Sequence, residues 1–246
     1  KLLHAYPEIC RETGASSIPK FQASTFHQSD VFKHEGYQYT RFGNPTITAV
    51  EECIKSLEDA SYGLAFSSGV AAINAVLFLL SSGDHLVLGK NIYGGTYQTV
   101  HEFLIRFGIE CTFVDESHVS AWEAAIQPNT KILYAESPTN PAVDILDLEL
   151  LGKIAKKHNL ILIIDNCFAT PYIQNPIQFG ADLVIHSATK LIDGQGRVLG
   201  GVTVGRSDLI REIYLFSRNT GPALSPFNAW VLSKSLETLP VRIEKH

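Results

Sequence analysis

The sequence has no methionine, even at its first position, only four cysteines in 246 residues, and only a small excess of negative charge. Each scarcity excludes something. A first residue other than Met reads as a trimmed chain or a piece of a longer one. Cys10, Cys53, Cys111 and Cys167 lie far apart and form no CxxC pair, so neither a disulfide framework nor a zinc or other metal site is expected. They read as reduced thiols of a cytoplasmic protein. The net charge is -5, with Lys and Arg scattered, which leaves no electrostatic footprint for nucleic acid or an anionic membrane. The longest apolar run, residues 70–80, is interrupted by Asn74 and falls short of the about 20 residues a bilayer span needs. The one glycine cluster, residues 194–201, follows a lysine and lacks the Gly-x-Gly-x-x-Gly spacing of a nicotinamide dehydrogenase. A small-molecule partner is left as the reading.

What is present is a core. With 45% hydrophobic and 18% charged residues, the chain can bury one large domain. Residues 62–66, 85–88, 131–135 and 160–164 are short apolar runs with little alternation, the pattern of strands buried on both faces. Residues 182–186 and 201–204 add two more, for a sheet of six or seven strands. Between them Val50, Ile54 and Leu57 share one helical face, and Leu151, Ile154 and Ala155 another. Strands alternating with helices predict crossovers on a mostly parallel sheet, an α/β fold. The organisation read from this is an extended arm over residues 1–45, an α/β domain over 46–225, and the beginning of a linker helix over 226–246. Gly221, Pro222 and Pro226 break the pattern at that last boundary.

Four segments could carry chemistry. Asp182-Leu-Val-Ile-His-Ser-Ala-Thr-Lys190 ends a strand in Ser187, Thr189 and Lys190, placing an amine at the carboxyl edge of the sheet, where open α/β sheets bind ligands. A partly desolvated lysine can attack a carbonyl; alone, Lys190 also reads as a surface lysine after a strand. Ile161-Leu-Ile-Ile-Asp165-Asn166-Cys-Phe-Ala-Thr-Pro171 delivers a carboxylate to the same edge, either to pair with a cationic ring nitrogen or to cap a turn. Ala65-Phe-Ser-Ser-Gly-Val70 turns from strand to helix, so Ser68, Gly69 and Val70 form either a phosphate cradle or an ordinary helix start. Tyr37-Gln-Tyr39-Thr-Arg41-Phe-Gly-Asn-Pro-Thr46 puts a phenol and a guanidinium on one side of an extended segment, suited to a phosphate or to a surface acid. Tyr93 could stack on a flat ring or fill the core, and Asn140, in Glu-Ser-Pro-Thr-Asn-Pro141, could bind a ligand or shape a turn.

In this order the segments resemble the Cys/Met-metabolism family of pyridoxal-phosphate (PLP) enzymes, of fold type I. The motifs are Tyr-x-Arg-x-x-Asn-Pro-Thr, Ser-Ser-Gly, Ser-Pro-x-Asn-Pro, Asp-Asn-x-Phe-Ala-Thr-Pro and His-Ser-Ala-Thr-Lys, and the likeness runs from about Tyr6 to the last residue. The resemblance implies that Lys190 holds PLP covalently, Asp165 pairs with its ring nitrogen, and Tyr93 stacks on the ring and helps move protons. It implies that Ser68, Gly69, Val70, Ser187 and Thr189 surround the phosphate, and that Asn140 lies beside the phenolic oxygen and the substrate carboxylate. Tyr39 and Arg41 would reach the phosphate of a neighbouring subunit, hence a homo-oligomer, a tetramer built as a dimer of dimers. Val70 stands where relatives usually carry Met. The family's substrate-carboxylate arginine belongs to a small C-terminal domain expected to be absent from this chain.

Within the family, residues 192–201 and 220–230 look most like O-succinylhomoserine sulfhydrylases, and Gly95 stands where methionine γ-lyases carry cysteine. The expected reaction is γ-replacement on an O-acyl-L-homoserine, succinyl or acetyl, with sulfide as nucleophile, giving L-homocysteine for methionine biosynthesis. Cystathionine γ-synthase and the cystathionine and methionine γ-lyases are the alternatives, because replacement and elimination share one early path. A non-catalytic scaffold that keeps the cofactor groups is the reading from another class.

Overall fold

The computed structural model describes residues 13–33 and 35–246; Tyr6 and Cys10 lie outside the described residues. Seven strands form one sheet: β1 (Tyr62–Phe66), β2 (His85–Gly89), β3 (Glu110–Val114), β4 (Thr130–Glu136), β5 (Ile161–Asp165), β6 (Leu183–His186) and β7 (Gly201–Gly205), in the order β1-β7-β6-β5-β4-β2-β3. Neighbours from β3 through β6 pair in parallel, and β7 runs antiparallel to both β6 and β1. The expected mostly parallel α/β sheet is the observed one. Its seventh strand is β3, whose charged Glu110 and half-exposed middle residues give it no apolar run to read.

The helices are α1 (Pro45–Glu58), α2 (Gly69–Leu77), α3 (Gly94–Gln98), α4 (Val119–Ala124), α5 (Leu148–His158), α6 (Thr170–Ile173), α7 (Ser207–Thr220), α8 (Pro226–Leu236) and α9 (Leu239–Lys245). Apolar runs in the strands are continuous because both faces are covered. On one face Leu133, Leu162, Ile164 and Val184 meet Val50 and Ile54 of α1, Leu151 of α5, and Leu232 and Leu236 of α8. On the other, Leu86, Ile132, Tyr134, Ile163 and Ile185 meet Ile73 and Val76 of α2 and Ile210 and Ile213 of α7. No helix among the described residues is long and apolar enough to cross a membrane. Cys53, Cys111 and Cys167 are free thiols.

Helix starts follow local chemistry. Asn44 caps α1, its side-chain oxygen accepting from Thr46 N, and Pro45 fills the first position, where no N–H is needed. Ser68 caps α2 by accepting from Ala71 N at 3.1 Å. The segment before α1 departs from the expected extended arm: residues 39–42 turn back on themselves, with Phe42 N donating to Tyr39 O at 2.8 Å. Asn44 must point its side chain along the helix axis, and the chain turns to enter it; Tyr39 still pairs with Thr25 in an isolated bridge.

Candidate active site

Glu136, Asp165 and His186 are the last residues of three adjacent parallel strands, β4, β5 and β6, and so stand side by side at the carboxyl edge of the sheet. Above that edge lies a cavity of about 200 Å³ lined by Ser68, Gly69, Val70, Ile73, Tyr93, Glu136, Asn140, Asp165, Cys167, Phe168, Ser187, Thr189, Lys190 and Leu199. It gathers residues from six separate stretches of chain. Every expected site residue except Tyr39 and Arg41 is among them. Those two do not line it: the Arg41 guanidinium lies 4.8 Å from the Phe42 ring and donates to the Arg218 carbonyl.

Gly69 opens α2 against Ser187 so closely that a Cβ there would fall 2.6 Å from Ser187 Cβ. Only glycine allows the free N–H groups of the helix start to approach the Ser187 turn, which is what an anion between them requires. Thr189 is tied down, its Oγ1 accepting from Gly200 N at 3.1 Å and donating to Gly200 O at 3.2 Å. Lys190 follows on the turn that closes when Lys190 N donates to Ser187 O (3.1 Å), and its side chain is exposed at the cavity rim.

Asp165 is 3% exposed, and burial raises its pKa. Tyr134 Oη donates to its Oδ2 at 3.4 Å and Cys167 N to its Oδ1 at 3.2 Å. Sequence reasoning missed its neighbour. Glu136 accepts from Tyr93 N at 2.7 Å, and burial, then the charge of Asp165, push its carboxyl up to about 8. Burial raises both carboxyls of this pair, so the site resists holding two negative charges, and an ionised Asp165 is costly on its own. A cationic ring nitrogen set against Asp165 would offset the cost of burying that charge. The residues present fit PLP: an amine, a buried carboxylate, a partly exposed aromatic ring and a glycine-built anion cradle face one space.

Behind Asp165 lies a second buried group that the sequence did not disclose. His186 Nε2 donates to Glu58 Oε1 at 2.6 Å, and Asn166 Nδ2 donates to the same oxygen at 3.0 Å. Glu58 closes α1, 128 residues from His186 in sequence, so no local pattern announces the pair. Cys167 accepts from Ser187 N at 2.7 Å, and burial pushes its thiol well above its ordinary range, so it packs and bridges rather than acting as a nucleophile. Gly95 also has a local cause: a Cβ there would fall 2.5 Å from the Tyr93 ring.

The family model for Cys/Met metabolism PLP-dependent enzymes matches residues 1–246. A cystathionine gamma-lyase of Bacillus subtilis is 48% identical over 234 residues, covering 95% of this chain and 62% of that protein. An O-succinylhomoserine sulfhydrylase of Pseudomonas aeruginosa is 47% identical over 212 residues, 86% of this chain and 53% of that one. The crystal structure of metB from Corynebacterium glutamicum superposes with a TM-score of 0.95 at 41% identity, covering 98% of this chain and 63% of that one. The chain thus spans less than two thirds of the length of these relatives.

Proposed function

From the premise that the chain belongs to the Cys/Met-metabolism family of PLP-dependent enzymes, we propose that it carries out γ-replacement on an O-acyl-L-homoserine, with sulfide entering and L-homocysteine leaving. The observation that carries the PLP part is the single cavity shared by Lys190, Asp165, Tyr93 and the Gly69 cradle. Bound PLP supplies an electron sink that lowers the cost of removing protons beside the substrate amine. The protein's residues do the rest. Lys190 holds the cofactor covalently and, once displaced by the substrate amine, takes the proton from Cα. Asp165 would pair with the ring nitrogen and keep it protonated, and the cationic nitrogen in turn would favour the ionised form of Asp165 beside Glu136. Tyr93, its backbone N–H donating to Glu136, would stack on the ring. Amides at Gly69 and Val70, with the Ser68 and Ser187 hydroxyls and that of Thr189 once its proton turns from Gly200 O, would hold the phosphate. Asn140 orients the substrate carboxylate.

Tyr39 and Arg41 act in our reading on the phosphate of a neighbouring subunit of a cytoplasmic homotetramer, with residues 1–45 as the arm, 46–225 as the cofactor domain and 226–246 leading to a further domain. Replacing Arg41 by Ala should weaken PLP binding in the oligomer; unchanged affinity would remove it from that role. The replacement assignment rests on residues 192–201 and 220–230. A second reading, cystathionine γ-elimination, is favoured by the 48% identical relative. Incubating the full-length protein with O-succinyl- or O-acetyl-homoserine plus sulfide should yield homocysteine. A 2-oxo acid and ammonia from cystathionine, with no homocysteine from either ester, would transfer the assignment to the lyase.

A further inference from the structure

Lys190 can serve the cavity only if the backbone that follows it stays in place, and that backbone is gripped from behind. Arg242, on α9, donates through Nη1 to Leu191 O at 2.7 Å and through Nη2 to Ile192 O at 2.9 Å, the two carbonyls directly after the lysine. The same guanidinium donates to Ser235 O at 2.9 Å, at the end of α8, and through Nε to Thr238 Oγ1 at 3.1 Å. A planar fork matches two successive carbonyls; an ammonium offers no such geometry. Beside it, fully buried Asp193 accepts from Arg197 N at 2.7 Å and Arg197 Nη2 at 2.9 Å, and Arg197 Nη2 also donates to Ser235 Oγ at 2.6 Å.

The loop is shaped to admit this grip. Gly194 N donates to Lys190 O at 2.7 Å, folding the chain back. Gly194 has φ +68°, and a Cβ there would lie 2.0 Å from Arg242 Nη1. The helices that carry the grip are themselves anchored, with Leu232, Leu236 and Leu239 at 0–1% exposure in the core.

We propose that Arg242 is a positioning residue for the reactive amine: its guanidinium clamps the carbonyls of Leu191 and Ile192 to α8 and α9 and so fixes where Lys190 stands. The proposal rests on the reading of Lys190 as the cofactor-holding amine. Its test uses the full-length protein with Arg242→Ala and Arg242→Lys, followed by two independent readouts. The first is amide hydrogen exchange without cofactor. Loss of the clamp should speed exchange in residues 187–197 about tenfold or more while the β-sheet core is unchanged, because two hydrogen bonds from one charged donor are lost there. The second is the pH midpoint of the PLP absorbance band above 400 nm, which should shift in both variants. Millimolar guanidinium should restore Arg242→Ala in both readouts, and should do nothing for Arg242→Lys.

A lowered melting temperature with wild-type exchange in residues 187–197 and a wild-type band midpoint would overturn the proposal, as would exchange that rises equally throughout the protein. If Arg242→Ala does not fold, Arg242→Lys and Gly194→Ala, which displaces the same guanidinium, decide the question by the same readouts. A wild-type protein that binds PLP without any such band overturns the reading of Lys190, and the exchange arm then judges the loop clamp alone.

Discussion

Replacing Glu136 by Gln tests whether the carboxyl pair at the sheet edge works as described. The amide keeps an oxygen to accept from Tyr93 N and removes the ability to ionise. In the folded protein Glu136 titrates near 8 in place of 4.5. A raised acid contributes its stability in full below the unfolded value, loses it progressively as pH climbs from about 4.5, and has lost it all above about 8. At about 1.4 kcal/mol per pKa unit the loss for a side chain this buried is on the order of 5 kcal/mol, an upper value because the two carboxyls share it. Urea unfolding of the cofactor-free protein at several pH values from 5 to 9 measures it. Glu51, which burial pushes up to about 7, titrates in the same window, so the informative quantity is the difference between wild type and variant. That difference should grow in favour of Glu136→Gln as pH rises and level off above about 8. A difference independent of pH would refute the account of the pair.

Gly69→Ala drives a methyl group into Ser187 and should cost about 1–3 kcal/mol of stability together with much of the PLP affinity, read by urea unfolding and fluorescence titration. Wild-type affinity in that variant would remove the cradle from the account. Leu232→Ala, at a fully buried position of α8 in the core, should destabilise the domain by about 2–5 kcal/mol. A cost below about 1 kcal/mol would mean that α8 is not part of this core.

The sheet was legible because its strands are buried on both faces, which turns each into an apolar run. β3 escaped because it is an edge strand with Glu110 at its start and little fully buried surface. Asp165 and Lys190 could be placed at one edge because each ends or follows such a run. Glu136 ends one too, yet it looked like an ordinary strand end, since its meaning comes from Asp165 on the neighbouring strand. The Glu58–His186 pair and the grip of Arg242 on Leu191 join residues far apart in the chain, and no local period encodes them. The expected extended geometry around Tyr39 and Arg41 failed for a local reason, the turn that delivers Asn44 to its capping position.

The central claim is that Lys190 is the amine that bonds to PLP, and reduction with borohydride followed by peptide mass mapping tests it directly. The account requires bleaching of the band above 400 nm and a pyridoxyl group on the peptide containing Lys190. A pyridoxyl group distributed over other lysines, or a band that survives in Lys190→Ala, would contradict it.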